Sequence, residues 1–199
     1  MGSNILGHAQ REISGATTFG KYDFQYHWAL CKIIERHKLN SDYALLIEYH
    51  EDVVIADSMY GNLAKFEFFQ VKNTGKPFTS DALTKREKGV NGFKNSILGK
   101  LLNSCIGTDY EERITEIGLV SSSGFSFDQK DNKLNLDVIT SGDLSLDCLS
   151  GLTKKLKEEI GIDILPKNIK FIVPKIKLEN QEQFVIGKFA ELVNEIFPI

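Results

Sequence analysis

The chain has 199 residues, 42% apolar and 26% charged, with a formal net charge of −3, which is enough apolar material for one core of generous size. No apolar run is long enough to span a bilayer, and the polar, Gly-rich N-terminus has no signal-peptide apolar region. Three widely spaced cysteines (Cys31, Cys105, Cys148) with no CxxC spacing argue against a zinc site or a disulfide frame, so reduced thiols and a cytoplasmic location are expected.

Residues 1–20 read as a Gly/Ser/Thr-rich lead-in. Asp23 is placed to cap a first helix, in which Phe24, Trp28, Cys31 and Ile34 recur at three- to four-residue spacing. Three strands follow, over 41–49, Asp52–Asp57 and Lys65–Asn73, with a Tyr60-Gly61-Asn62 turn before the third. Short returns of this kind make an antiparallel meander. Thr74-Gly75-Lys76-Pro77 breaks the pattern, and Thr79 or Ser80 opens a helical stretch with a charged middle. Its later part, 92–105, carries Phe93, Ile97, Leu98, Leu101, Leu102 and Cys105 on one stripe. Thr115–Ser121 reads as a buried fourth strand, and 124–142 as irregular. Ser145 or Asp147 starts a helix with Leu149, Leu152, Leu156 and Ile160, closed by Gly161. A fifth strand over 168–173 precedes a terminal amphipathic helix, Gln181–Phe197, patterned by Phe184, Val185, Phe189, Leu192, Val193 and Ile196. This order predicts an α/β fold, a mixed central sheet of an antiparallel meander plus added strands, flanked by α-helices.

The chemistry concentrates in the third strand. Alternation puts Phe66, Phe68, Gln70 and Lys72 on one face and Glu67, Phe69 and Val71 on the other. Phosphodiester hydrolysis needs a hard cation on oxygen ligands and a positive group near the phosphate. Asp52 opens one strand, while Gln70 and Lys72 close the next, so a hairpin brings them together as candidate ligands (Asp52, Gln70) and catalytic residue (Lys72). Facing sets Glu67 apart. The single histidines His27 and His50 read as structural, and Ser121-Ser122-Ser123-Gly124 lacks the G-x-S-x-G elbow of a hydrolase triad.

Asp52 followed by Gln70-Val71-Lys72 resembles the PD-(D/E)xK restriction-endonuclease-like superfamily, in its QxK variant. The wider set is Arg11-Glu12 with Gly15, Tyr22-Asp23-Phe24-Gln25, Glu48 with Glu51-Asp52-Val53-Val54, Phe69-Gln70-Val71-Lys72, and Ser121 to Phe125. It resembles the nuclease domain of the CD-NTase-associated protein 4 family, effectors of CBASS antiphage defence. The same domain type occurs beside HerA-like ATPases. The resemblance implies a restriction-endonuclease-like core and a Mg²⁺-dependent endonuclease (Mn²⁺ a possible substitute) that cuts double-stranded DNA with little sequence selectivity. It further implies a homo-oligomer controlled by a cyclic-oligonucleotide-sensing domain or a partner. The chain is then either an excised nuclease domain or a relative whose partner does the sensing. A single domain is expected over 1–199, with lead-in 1–20, catalytic core 21–125 and C-terminal extension 126–199. Gln25 and Glu48 are candidates for a supporting shell or further ligation.

The candidate DNA-backbone contacts are Lys85, Arg86, Lys88 and Lys94, with Lys100 and Lys154-Lys155-Lys157 as further basic patches. The net charge of −3 and the Gln in the motif keep a second reading open, a non-catalytic assembly module docking on a sensor or an ATPase.

Overall fold

A computed structural model describes residues 14–39, 42–90, 92–131 and 136–198; Arg11 and Glu12 lie outside the described residues. The first half runs α1 (Ser14–Lys38), β1 (Ala44–Tyr49), β2 (Glu51–Ala56), β3 (Phe66–Lys72), β4 (Phe78–Thr79), α2 (Ser80–Thr84), β5 (Lys88–Gly89), β6 (Gly92–Phe93) and α3 (Ile97–Asn103). The second half runs β7 (Ile114–Ser121), β8 (Phe125–Ser126), β9 (Val138–Thr140), α4 (Leu146–Ile160), β10 (Ile169–Ile172) and α5 (Gln181–Ile196).

The main sheet has six strands in the order β1-β2-β3-β7-β10-β9. The meander β1-β2-β3 is antiparallel, β7 is parallel to both β3 and β10, and β9 closes the far edge antiparallel to β10. This is the mixed sheet with flanking helices of a restriction-endonuclease-like core. The segment after residue 126 supplies β9 and β10 to that same sheet.

Alternation along β3 feeds two cores, one on each face of the sheet. Phe68 joins Val54, Leu98, Leu101, Leu119, Leu152 and Phe171 under α3 and α4. Phe69 and Val71 join Phe24, Trp28, Val53 and Ile55 under α1. The Phe69 ring is fully buried and meets Trp28 edge-on at 4.9 Å. Burying one such ring contributes about 1.5–3 kcal/mol. Close packing here demands Gly118 on β7, where a Cβ would stand 2.3 Å from the Phe69 ring. Glu67, on the α1 face, pairs with Arg36 of α1, as the facing argument requires.

The caps follow the expected chemistry. Thr79 caps α2, Ser96 caps α3 and Ser145 caps α4, each accepting a backbone N–H three residues on. Gly161 ends α4 in the left-handed conformation, φ 78°.

The structure corrects five expectations. The first helix begins at Ser14, so Asp23 lies within it rather than capping it, and accepts from Gln181 Nε2 at 2.6 Å. Once tertiary packing fixes the buried stripe, each further turn adds backbone bonds without needing apolar periodicity. The stretch from Thr79 to Cys105 is two short helices separated by the β5–β6 hairpin, because Gly89 and Gly92 punctuate it. Phe93, assigned to the apolar stripe, is 60% exposed on that hairpin. Residues 124–142 contain β8, paired with β4, and the edge strand β9. On α5 only Leu192 is buried; Phe189, Val193 and Ile196 from its expected apolar face are exposed.

Candidate active site

The site is built where β2 begins and β3 ends. Register pairs Val53 with Phe69, so Asp52, one residue earlier, falls beside Gln70 at the carboxyl end of β3. This is the end of a parallel strand pair, where open α/β sheets place their ligands. One Asp52 oxygen, Oδ2, accepts from the Val71 backbone N–H at 2.8 Å and from Lys72 Nζ at 3.3 Å. The hairpin predicted from spacing therefore does bring Asp52, Gln70 and Lys72 together.

Gln70 is 8% exposed, and its buried side-chain oxygen Oε1 has no hydrogen-bond partner among the described residues. A buried carbonyl left unmatched costs about 1–3 kcal/mol. Gln70 and Asp52 line a cavity of about 420 Å³, together with Glu48, His50, Glu51, Asn95, Lys100, Asn103 and Ser104. The oxygen donors gathered here are carboxylates and an amide carbonyl, a set suited to a hard cation. Among the described residues, no group of three His, Cys, Asp or Glu side chains is arranged to hold a metal by itself.

Gln25 reaches the site from the buried stripe of α1. It is 4% exposed, and its amide nitrogen donates to Glu48 Oε1 at 2.7 Å and to the Asp52 backbone carbonyl at 2.8 Å. Glu51 accepts from Ser104 Oγ at 2.6 Å, and burial, then the neighbouring Asp52 charge, pushes its carboxyl above the ordinary range. The β3 terminus is tied to β7 by serines. Thr74 N–H donates to Ser122 Oγ at 2.9 Å, and the Thr74 and Ser121 hydroxyls are 3.2 Å apart. Ser121–Ser123 thus clamp the strand that carries Lys72 and are not arranged as a nucleophile.

Lys85, Arg86, Lys88 and Lys94 are all exposed on and around the β5–β6 hairpin, which leads directly into Asn95 on the cavity wall. Arg86 holds the hairpin by donating to the Phe93 and Lys94 carbonyls at 3.3 and 3.4 Å. His27 sits 3.4 Å from Asp23, away from the cavity, whereas His50 lines it. His50, read from sequence as structural, is thus brought to the site by the β1–β2 turn. Glu51, Asn103 and Ser104 were not singled out as site residues. The signals were slight: Glu51 adjoins Asp52, and Lys100, Asn103 and Ser104 share one face of α3 at three- to four-residue spacing. A larger cavity, about 690 Å³, is lined by Asp109, Glu111 and Glu112 and contains no member of this constellation.

A family model described as Cap4, dsDNA endonuclease domain, matches residues 13–199. No curated protein and no solved structure matches.

Proposed function

The chain belongs to the Cap4 dsDNA endonuclease domain family, and from that premise we propose that it hydrolyses phosphodiester bonds of double-stranded DNA in a Mg²⁺-dependent reaction at the Asp52–Gln70–Lys72 cavity. The observation that carries this reading is the buried Oε1 of Gln70, unpartnered among the described residues, on the wall that Asp52 also lines. A carbonyl oxygen without a donor, beside a carboxylate, fits a cation ligand better than a structural amide.

Asp52 and Gln70 would hold the ion, and Mn²⁺ suits the same donors. When bound, such an ion polarises the phosphate and lowers the pKa of a coordinated water. Lys72 is half-buried with its ammonium 3.3 Å from Asp52, within reach of whatever Asp52 holds. It orients the attacking water or offsets the negative charge that builds on the phosphate. Water attacks phosphorus, the bond to the leaving sugar oxygen breaks, and that oxygen takes up a proton. Lys85, Arg86, Lys88 and Lys94 contact the DNA backbone beside the cavity, which gives position without sequence selectivity.

The role is antiphage defence, with cutting controlled by oligomerisation or by a sensor domain or partner. Family membership supports this, as does the exposed apolar side of α5, Ile186, Phe189, Val193 and Ile196, a surface of the kind assembly covers.

The test is incubation of supercoiled plasmid with Mg²⁺ or Mn²⁺, wild type against Lys72→Ala. Wild type converts the plasmid to nicked and linear forms, and Lys72→Ala is slower by about 100-fold or more. Equal loss of supercoiled DNA with both proteins would overturn the assignment.

A further inference from the structure

The assigned pair holds a single carboxylate, Asp52, beside the Gln70 amide, and the α1 residue that reaches Asp52, Gln25, is an amide as well. Three observations point to where a second carboxylate comes from. The β1–β2 register pairs Ile47 with Val53 and Tyr49 with Glu51, so Glu48 and Asp52 lie between the same two paired positions. With Asp52 beside Gln70, the residues Glu48, Asp52 and Gln70 form one row at the same end of three adjacent strands. All three line the same cavity.

Like charges facing each other across a ladder are destabilising, so this pair needs a reason. Glu48 also has φ 55°, in the left-handed region that a glutamate enters only with strain. What fixes its carboxylate there is the Gln25 amide, which spends one N–H on Glu48 Oε1 and the other on the Asp52 carbonyl. A glutamate at position 25 has no hydrogen to donate at neutral pH and would repel Glu48. The amide in α1 is therefore what allows a carboxylate at the end of β1.

We infer that Glu48 is the second carboxylate ligand of the cation site, supplying the charge that Gln70 lacks, and that Gln25 is its positioning residue. The inference rests on the cation reading given above. Two carboxylates and an amide carbonyl from three neighbouring strands make a ligand set for one hard divalent ion, the remaining positions being open to water and phosphate oxygens.

Mn²⁺ titration of the DNA-free protein, followed by calorimetry or by the electron-spin signal of free Mn²⁺, tests this without any activity readout. Wild type binds, and Asp52→Asn and Glu48→Gln each weaken binding about 10–100-fold, because ligand charge sets affinity. Gln25→Met, which keeps the volume but loses both donors, weakens it about 10-fold. The double variant E48Q/Q70E returns the lost charge on the other side of Asp52, two positions along the row, and recovers most of the affinity. A structural role for Glu48 would not give that recovery. If Asp52→Asn loses Mn²⁺ while Glu48→Gln binds as wild type, the role of Glu48 is refuted and the cation site stands. If Glu48→Gln binds weakly, melts lower without metal and is not recovered by Gln70→Glu, Glu48 is structural. No Mn²⁺ binding by wild type, or unchanged binding by Asp52→Asn, removes the cation site and this inference together.

Discussion

Replacing Asp52 in two ways separates its structural work from its chemical work. Its Oδ2 is the acceptor for the part-buried Val71 N–H at 2.8 Å and the counterion of Lys72 at 3.3 Å. In Asp52→Ala the amide loses its acceptor, at a cost of about 1–3 kcal/mol. The ion pair, whose side chains are 31% and 19% exposed, adds at most about 1 kcal/mol. The total is about 1–4 kcal/mol, or a Tm lowered by about 2–16 °C for a chain of this length. In Asp52→Asn the amide oxygen still accepts from Val71, so the loss of stability is under about 1 kcal/mol. Cleavage should nevertheless fall by at least about 100-fold in both variants, because neither provides the charged ligand. Urea unfolding without metal, run beside plasmid cleavage in Mg²⁺, gives both quantities. If Asn is as destabilising as Ala, the Val71 bond does not carry the structural role. If Asn cuts like wild type, the carboxylate is not needed as a ligand.

Other consequences follow from the packing and the charges. Gly118→Ala places a Cβ 2.3 Å from the Phe69 ring, which is locked against Trp28, so overpacking should cost about 1–3 kcal/mol in thermal melts; an unchanged Tm would contradict the tight β3–β7 contact. Burial pushes the Cys105 thiol up to about 12 and the Cys31 thiol up to about 11, from an ordinary 9.0, so neither should react with a thiol reagent at pH 8 until the protein unfolds. Both folded values are raised, so the stability these thiols contribute is complete below pH 9 and is lost as the pH climbs through the folded values, which alkaline urea titrations will register. Lys88→Glu with Lys94→Glu should weaken binding to DNA of any sequence and flatten its salt dependence in a filter or anisotropy assay, whereas selective loss on some sequences would argue for base contacts instead.

Much of this architecture was legible from local periodicity. The Phe24–Trp28–Cys31–Ile34 stripe, the meander and the helix from Ser145 to Gly161 each follow from spacing and caps, and the facing argument separated Glu67 from Gln70 correctly. The β5–β6 hairpin was hidden because Phe93 fits an i, i+4, i+8 series with Ile97 and Leu101, and the two glycines were outweighed by that coincidence. The start of α1 was hidden because residues 14–22 carry no apolar repeat, and the helix there is carried forward by turns already formed. The contacts that build the cavity are long-range: Gln25 to Glu48 spans 23 positions, and Ser104 to Glu51 spans 53. No local pattern encodes such a bond. The trace it leaves is a polar residue inside a buried stripe, as Gln25 is between Phe24 and Trp28.

The central claim is that the Asp52 carboxylate and the Gln70 carbonyl converge on one cation. Crystals grown with Mn²⁺ and measured for anomalous scattering test it most directly. The account predicts one strong peak in the cavity, about 2 Å from an Asp52 oxygen and from Gln70 Oε1. A peak elsewhere, or a Gln70 amide that turns away to a protein donor while Mn²⁺ is bound, would contradict it.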